Sequence, residues 1–172
     1  MVDVSLVSKC GTLCRFMMSK IGTFSCVYLP RVVKLYRMFD EKGNRSLMDR
    51  TPVYAGTPVS GAPYTPGIQV GNMVFVSGQV PLDSETNTIV RDDFEKAVGV
   101  CLDNIDRILQ SAGTSLANCV RVGVYLADMG NFARLNAVYA NRFGDVKPAR
   151  TCIQAQLPLN VDVEIEAIAL IP

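Results

Sequence analysis

The sequence contains no histidine. That absence removes the Ser–His–Asp triad, the Cys–His pair and every His-containing metal site. Acid–base chemistry is left to carboxylates, tyrosine, cysteine, lysine or water. Tryptophan is absent as well. No run of about 18 apolar residues occurs, so no membrane span is expected. An excess of one charge is also missing: 17 basic and 16 acidic side chains leave a net +1. Such a balance speaks against general nucleic-acid binding. What is present is 49% hydrophobic and 19% charged over 172 residues, a globular composition sized for one domain and an appendage.

The six cysteines are Cys10, Cys14, Cys26, Cys101, Cys119 and Cys152. None forms a Cys-x-x-Cys pair, and no second pair completes a four-ligand set with Cys10 and Cys14. Free, buried thiols in a reducing compartment are expected, with no metal site.

Charge divides the chain at residue 48. Residues 1–48 carry eight basic and three acidic side chains, whereas residues 49–172 carry nine basic and thirteen acidic ones. Between Val4 and Phe39 there is no acid at all. A basic, acid-free, serine-containing stretch has the composition of an organelle transit peptide. An over-long start ahead of Met48 is the equal alternative, so the expected compartment is cytoplasmic or mitochondrial. Residues 40–67, rich in proline and glycine, read as linker and entry loop.

The remaining domain, residues 49–172, reads as strands, helix, strand, helix, strand, strand. Ile68–Val70 and Met73–Ser77 flank a Gly71-Asn72 turn, a hairpin signal. Asp92 and Asp93 open a helix whose apolar residues recur from Phe94 to Leu109, and Gly113 suits its C-terminal cap. A strand follows over Cys119–Ala127, then a helix over Asn131–Phe143 with Phe132, Leu135, Val138, Tyr139 and Phe143 as its inner stripe. Two strands near Arg150–Gln156 and Val161–Leu170 close the chain. The class is α+β, with both helices on one face of a single sheet.

Side chains alternate across a strand. Val163, Ile165, Ala167 and Ala169 share one side of the last strand, opposite Glu164 and Glu166. On the preceding strand Thr151 and Ile153 share a side opposite Arg150 and Cys152. With apolar sides placed under the helices, Arg150, Cys152, Glu164 and Glu166 are expected together on the uncovered face. That face is either solvated or the seam of an oligomer holding a small polar pocket.

Several segments occur in order: Ala62-Pro63-Tyr64-Thr65-Pro66, Val76-Ser77-Gly78-Gln79-Val80-Pro81-Leu82, Pro148-Ala149-Arg150-Thr151-Cys152 and Val163-Glu164-Ile165-Glu166-Ala167-Ile168-Ala169. Together with Ala112-Gly113 and Tyr125-Leu126-Ala127-Asp128-Met129, they resemble the RidA family, also called YjgF/YER057c/UK114, over residues 54–172. The resemblance implies a chorismate-mutase-like fold, a homotrimer with clefts between subunits, and no cofactor. It implies hydrolysis of 2-imino acids and their enamine tautomers, such as 2-aminoacrylate and 2-iminobutanoate, to 2-keto acids and ammonia. Such an activity protects the pyridoxal-phosphate enzymes from which these species leak.

By the same resemblance Arg150 binds the substrate carboxylate, a role its bidentate fork suits. The Cys152 backbone N–H assists, Glu164 positions or deprotonates water, and Tyr64 lines the cleft. Asn136 shapes the pocket, and Ser77 and Gly78 form cleft wall through their backbone. Glu166 is the alternative to Glu164 by simple alternation. A nucleophilic Cys152 is disfavoured, since no histidine or nearby lysine activates it. One departure stands out: the segment from Arg150 to Pro158 is one residue shorter than the family pattern. The expectation is that the gap falls within Gln154–Leu157 and leaves Arg150 and Glu164 on one sheet face. The alternative function is a non-catalytic member that binds small carboxylates or acts as a redox-sensitive chaperone. Ribonuclease or translational inhibition is the weakest choice for an acidic domain without histidine.

Overall fold

The computed structural model describes residues 50–56 and 61–172. The N-terminal extension, with Cys10, Cys14, Cys26 and Met48, lies outside the described residues.

Six strands form the main sheet in the order β1-β2-β3-β8-β6-β7. They are β1 (Arg50–Val53), β2 (Gly67–Val70), β3 (Met73–Gln79), β6 (Cys119–Leu126), β7 (Ala149–Gln154) and β8 (Val163–Leu170). A separate two-stranded ribbon joins β4 (Leu82–Asp83) to β5 (Thr88–Ile89). Two helices, α1 (Phe94–Ser111) and α2 (Phe132–Phe143), complete the α+β architecture. Among the described residues no helix is long and apolar enough to cross a membrane.

The helix signals act as their chemistry dictates. Asp93 caps α1, its Oδ1 accepting from the Lys96 N–H at 2.9 Å. At the other end Gly113 takes φ +80°, and the Thr114 and Gly113 N–H groups return to Leu109 and Gln110 carbonyls. That double return is a Schellman closure, which needs a left-handed residue at the glycine. The face of α1 from Phe94 to Leu109 is buried against the sheet, where Val74, Val122, Val124, Val163, Ile165 and Ala169 are almost fully excluded from water. Burying each such side chain contributes about 1.5–3 kcal/mol.

Four local features depart from a simple reading of the pattern. Residues 50–53 are not linker: they form edge strand β1, with Pro52 opposite Ile68. An edge strand tolerates proline, because the N–H it lacks has no neighbour to bond. The ribbon β4–β5 was not foreseen; its strands have only two residues each, too short for periodicity to register. A register shift between Cys119 and Arg121 turns Val120 outward, away from the core that Val122 and Val124 enter. Phe132, expected within the buried stripe of α2, lies on the same side of the helix as Tyr139 but stays 37% exposed.

The largest correction concerns β7. It runs parallel to β6, with Arg150 opposite Val122 and Cys152 opposite Val124, both core residues. Residues directly opposite on neighbouring strands share a face. Arg150 and Cys152 therefore lie on the helix side, while Thr151 and Ile153 turn to the open face. Glu164 and Glu166 sit opposite Tyr125 and Gly123 on the open face. Arg150 and Glu164 are thus on opposite faces, against the expectation that they share one. The rule that apolar sides go under helices fails because β7 is the sheet's edge, and its apolar Ile153 remains 47% exposed.

Candidate functional site

The first cluster is built where α2 crosses the edge strand. Arg150 on β7 donates from Nη2 to Asn136 Oδ1 on α2 at 2.8 Å. Its guanidinium carbon lies 4.7 Å from the Tyr139 ring centre and 5.5 Å from that of Phe132. These residues lie on α2 at spacings of three or four, so they line one side of the helix. Phe143, one turn on, stacks on Tyr139 with ring centres 4.3 Å apart. Among the described residues the ion pairs are Arg134–Glu95 and Arg142–Asp103; none involves Arg150. A half-buried guanidinium held by an amide oxygen and two aromatic faces keeps most of its five donors for a planar anion.

Burial governs the groups beside it. Among the described residues the buried Tyr139 hydroxyl has no hydrogen-bond partner, and burial pushes its ionisation up to about 12 against the opposing pull of the Arg150 charge. Cys152 packs against the core, and burial raises its thiol above the ordinary value despite Arg150. A neutral thiol is the result, in line with the reading that Cys152 is no nucleophile.

The second cluster lies on the open face around β8. Between Val76 and Gln79 the β3–β8 register shifts, placing a bulge at Ser77-Gly78. The Glu164 carboxylate lies over Gly78, where a Cβ would overlap Glu164 Oε1. Glu166 lies likewise over Gly123, where a Cβ would come 2.7 Å from its Oε1. The Tyr125 hydroxyl donates to Glu166 Oε1 at 3.2 Å. Burial first, and the neighbouring Glu166 charge second, hold the Glu164 carboxyl above the usual carboxylate range.

Tyr64 stands on the loop ahead of β2 and is 63% exposed. The loop is pinned to the bulge: Ser77 Oγ donates to the Thr65 carbonyl at 2.7 Å and the Ser77 N–H to the Pro66 carbonyl at 2.9 Å. Ser77 and Gly78 thus join Tyr64's loop to Glu164.

Of the residues singled out from sequence, Arg150, Asn136 and Cys152 meet in the first cluster. Ser77, Gly78 and Glu164 meet in the second, with the Tyr64 loop attached. Strand β6 separates the two. Sequence reasoning missed Phe132 and Tyr139 as neighbours of Arg150, and Gly123 and Tyr125 as neighbours of Glu166. The alternation of β6 carries a signal for the latter pair, since Gly123 and Tyr125 share the side opposite Val122 and Val124.

Comparison with known proteins shows the family. A family model described as endoribonuclease L-PSP matches residues 55–171. A RutC family protein of Pyrococcus abyssi is 46% identical over 108 residues, covering 62% of this chain and 85% of its own. The Saccharomyces cerevisiae protein MMF1, mitochondrial, is 43% identical over 128 residues, covering 73% of this chain and 88% of its own. The crystal structure of E. coli TdcF with bound serine superposes with a TM-score of 0.64 at 34% identity, covering 70% of this chain and 98% of that one. The chain belongs to the L-PSP family, the family of RidA and YjgF.

Proposed function

We propose that this protein hydrolyses small 2-imino acids, and their enamine tautomers, to 2-keto acids and ammonia. The observation that carries the reading is Arg150: a half-buried guanidinium braced by Asn136, Tyr139 and Phe132 and joined to no carboxylate among the described residues. A 2-imino acid brings the missing carboxylate. The relative crystallised with bound serine supports a ligand of that size and charge.

The chemistry then asks little. Arg150, with the Cys152 backbone N–H, holds the carboxylate. The protonated imine carbon is electrophilic, and an oriented water attacks it. Glu164 takes the proton that water loses, and the carbon–oxygen bond forms as the C=N electrons move to nitrogen. The proton then returns from Glu164 to nitrogen, the carbon–nitrogen bond breaks as the oxygen lone pair closes the carbonyl, and the hydroxyl proton passes to Glu164 and on to the departing ammonia as ammonium. Tyr64 closes the cleft from its pinned loop.

Because Arg150 and Glu164 lie on opposite faces of one chain, the reading requires assembly. We propose a homotrimer in which the Arg150 cluster of one copy meets the Glu164 cluster of the next. The exposed Phe75, Ile153 and Leu170 on the open face supply apolar surface for that contact. For residues 1–48 we propose a mitochondrial address, on their acid-free composition and the mitochondrial label of the yeast relative. Import of a fluorescent protein carrying those residues tests this.

The activity test generates 2-iminobutanoate and 2-aminoacrylate in place with a pyridoxal-phosphate dehydratase and follows semicarbazide trapping. Wild type shortens the life of the imine, and Arg150→Ala abolishes this at least about 100-fold while remaining folded. A wild type indistinguishable from buffer across several imino acids overturns the reading. Imine removal by a strictly monomeric wild type overturns the shared cleft.

A further inference from the structure

Gln79 stands within one of the segments that carry the family likeness, yet neither cluster uses its side chain. It follows the bulge of β3 directly. The β3–β8 register breaks after Val76 and resumes at Gln79, so Ser77 and Gly78 have no one-to-one partner on β8. A bulge disrupts the ladder locally, and half-buried carbonyls there need donors from elsewhere. Gln79 supplies them. Its Nε2 donates to the Ser77 carbonyl at 3.0 Å and to the Gly78 carbonyl at 3.3 Å. A primary amide has two N–H bonds, one for each oxygen.

The two sides of the bulge are differently occupied. Gln79 stands opposite Ile165, a fully buried core residue. Residues directly opposite share a face, so Gln79 lies on the helix side. Glu164 lies on the open face over Gly78, close enough that a Cβ there would overlap its Oε1. Among the described residues no side chain donates to the Glu164 carboxylate, so its place depends on the floor beneath it. The close approach requires glycine in that floor, and the missing Cβ leaves both flanking peptides freer to rotate. Rotation of either one would swing its carbonyl oxygen away from Gln79 and toward the carboxylate.

We propose that Gln79 is a positioning residue: its amide holds the Ser77 and Gly78 carbonyls on the helix side and so keeps Glu164 seated over the bulge, in reach of the attacking water. The inference rests on the deaminase reading and adds to it a residue that touches neither substrate nor water. The chain on both sides of the bulge is anchored independently. Ahead of it, Ser77 Oγ donates to the Thr65 carbonyl. Beyond it, the buried Asn104 of α1 donates from Nδ2 to the Val80 and Leu82 carbonyls at 3.2 and 3.0 Å, and Pro81 between them is fully buried. Between these anchors the two carbonyls of the bulge are held by Gln79.

The test compares full-length wild type, Gln79→Met, Glu164→Gln and the double variant on 2-iminobutanoate generated in place. Methionine keeps the length of the side chain and removes its donors. Expected in Gln79→Met is a kcat lowered at least about fivefold with KM within about twofold, because the substrate carboxylate is held by the separate Arg150 cluster. In the Glu164→Gln background the same change costs less than about twofold, since the carboxylate through which Gln79 acts is already gone. Gln79→Glu, which keeps the shape and has no donor when ionised, is the second variant and is expected to lose as much. A smaller loss of kcat, or a loss that multiplies with that of Glu164→Gln, overturns this proposal alone and leaves Gln79 a packing role. A crystal structure of Gln79→Met reads the device without turnover: a turned carbonyl with the Glu164 carboxylate displaced from Gly78 is expected, and an unmoved carboxylate overturns the proposal. A wild type without imine hydrolysis overturns it together with the deaminase reading.

Discussion

Strands β7 and β8 have the same alternating character and opposite fates. In β8, an interior strand, Val163, Ile165, Ala167 and Ala169 are buried under α1, and the charged residues take the other face. In β7, the edge strand, the charged Arg150 goes under α2 and apolar Ile153 faces out. An interior strand takes its polarity from the core beside it. An edge strand is freer, because only one neighbour holds it and a single helix skirts its side. Here that freedom positions a cation against two aromatic rings.

The comparison breaks most sharply at the core. Ile165→Ala on β8 is expected to cost about 2–5 kcal/mol, read by denaturant unfolding. The matching change on β7, Ile153→Ala, should leave unfolding of the chain within about 0.5 kcal/mol. A more forceful Ile153→Asp is expected to split the assembly in light scattering while circular dichroism stays native. If the assembly survives, the outward side of β7 faces water alone.

Smaller effects sharpen the picture on the open face. Gly78→Ala meets only the flexible end of Glu164. It should therefore displace that carboxylate and lower kcat roughly 10- to 100-fold with little change in melting temperature. An unchanged kcat shows that Glu164 need not rest over the bulge. The smallest effect is a gain in stability. Glu164 binds its proton more tightly folded than unfolded, so ionising it opposes folding. Glu164→Gln is expected to raise the melting temperature near neutral pH, and the gain should fade as pH falls through the raised folded-state value and be gone below the ordinary carboxylate range. A gain that persists in acid points to packing rather than charge.

Much of this was legible in advance. Capping of α1 by Asp93 and Gly113 is local chemistry, and the core side of β8 follows from strict alternation next to a long amphipathic helix. The motifs around Arg150 and Glu164 gave the family. What escaped depended on context. Phe132 and Tyr139 carry the same helical spacing as core residues, and only the position of the edge strand shows that Arg150 lies beneath them. The side of β7 was misread because periodicity reports two faces without saying which is covered. Tyr125 looked like one more alternating residue until its hydroxyl was seen to reach across to β8.

Pro52 has a consequence beyond its own strand. Along β1 it offers no N–H to a newcomer, and β7 at the other margin is entered directly after Pro148. Exposed strand margins invite endless addition of further chains. With its margins so disposed, the sheet gives copies of this protein little reason to join margin to margin into fibrils, and the broad face is left as the route for the proposed closed assembly.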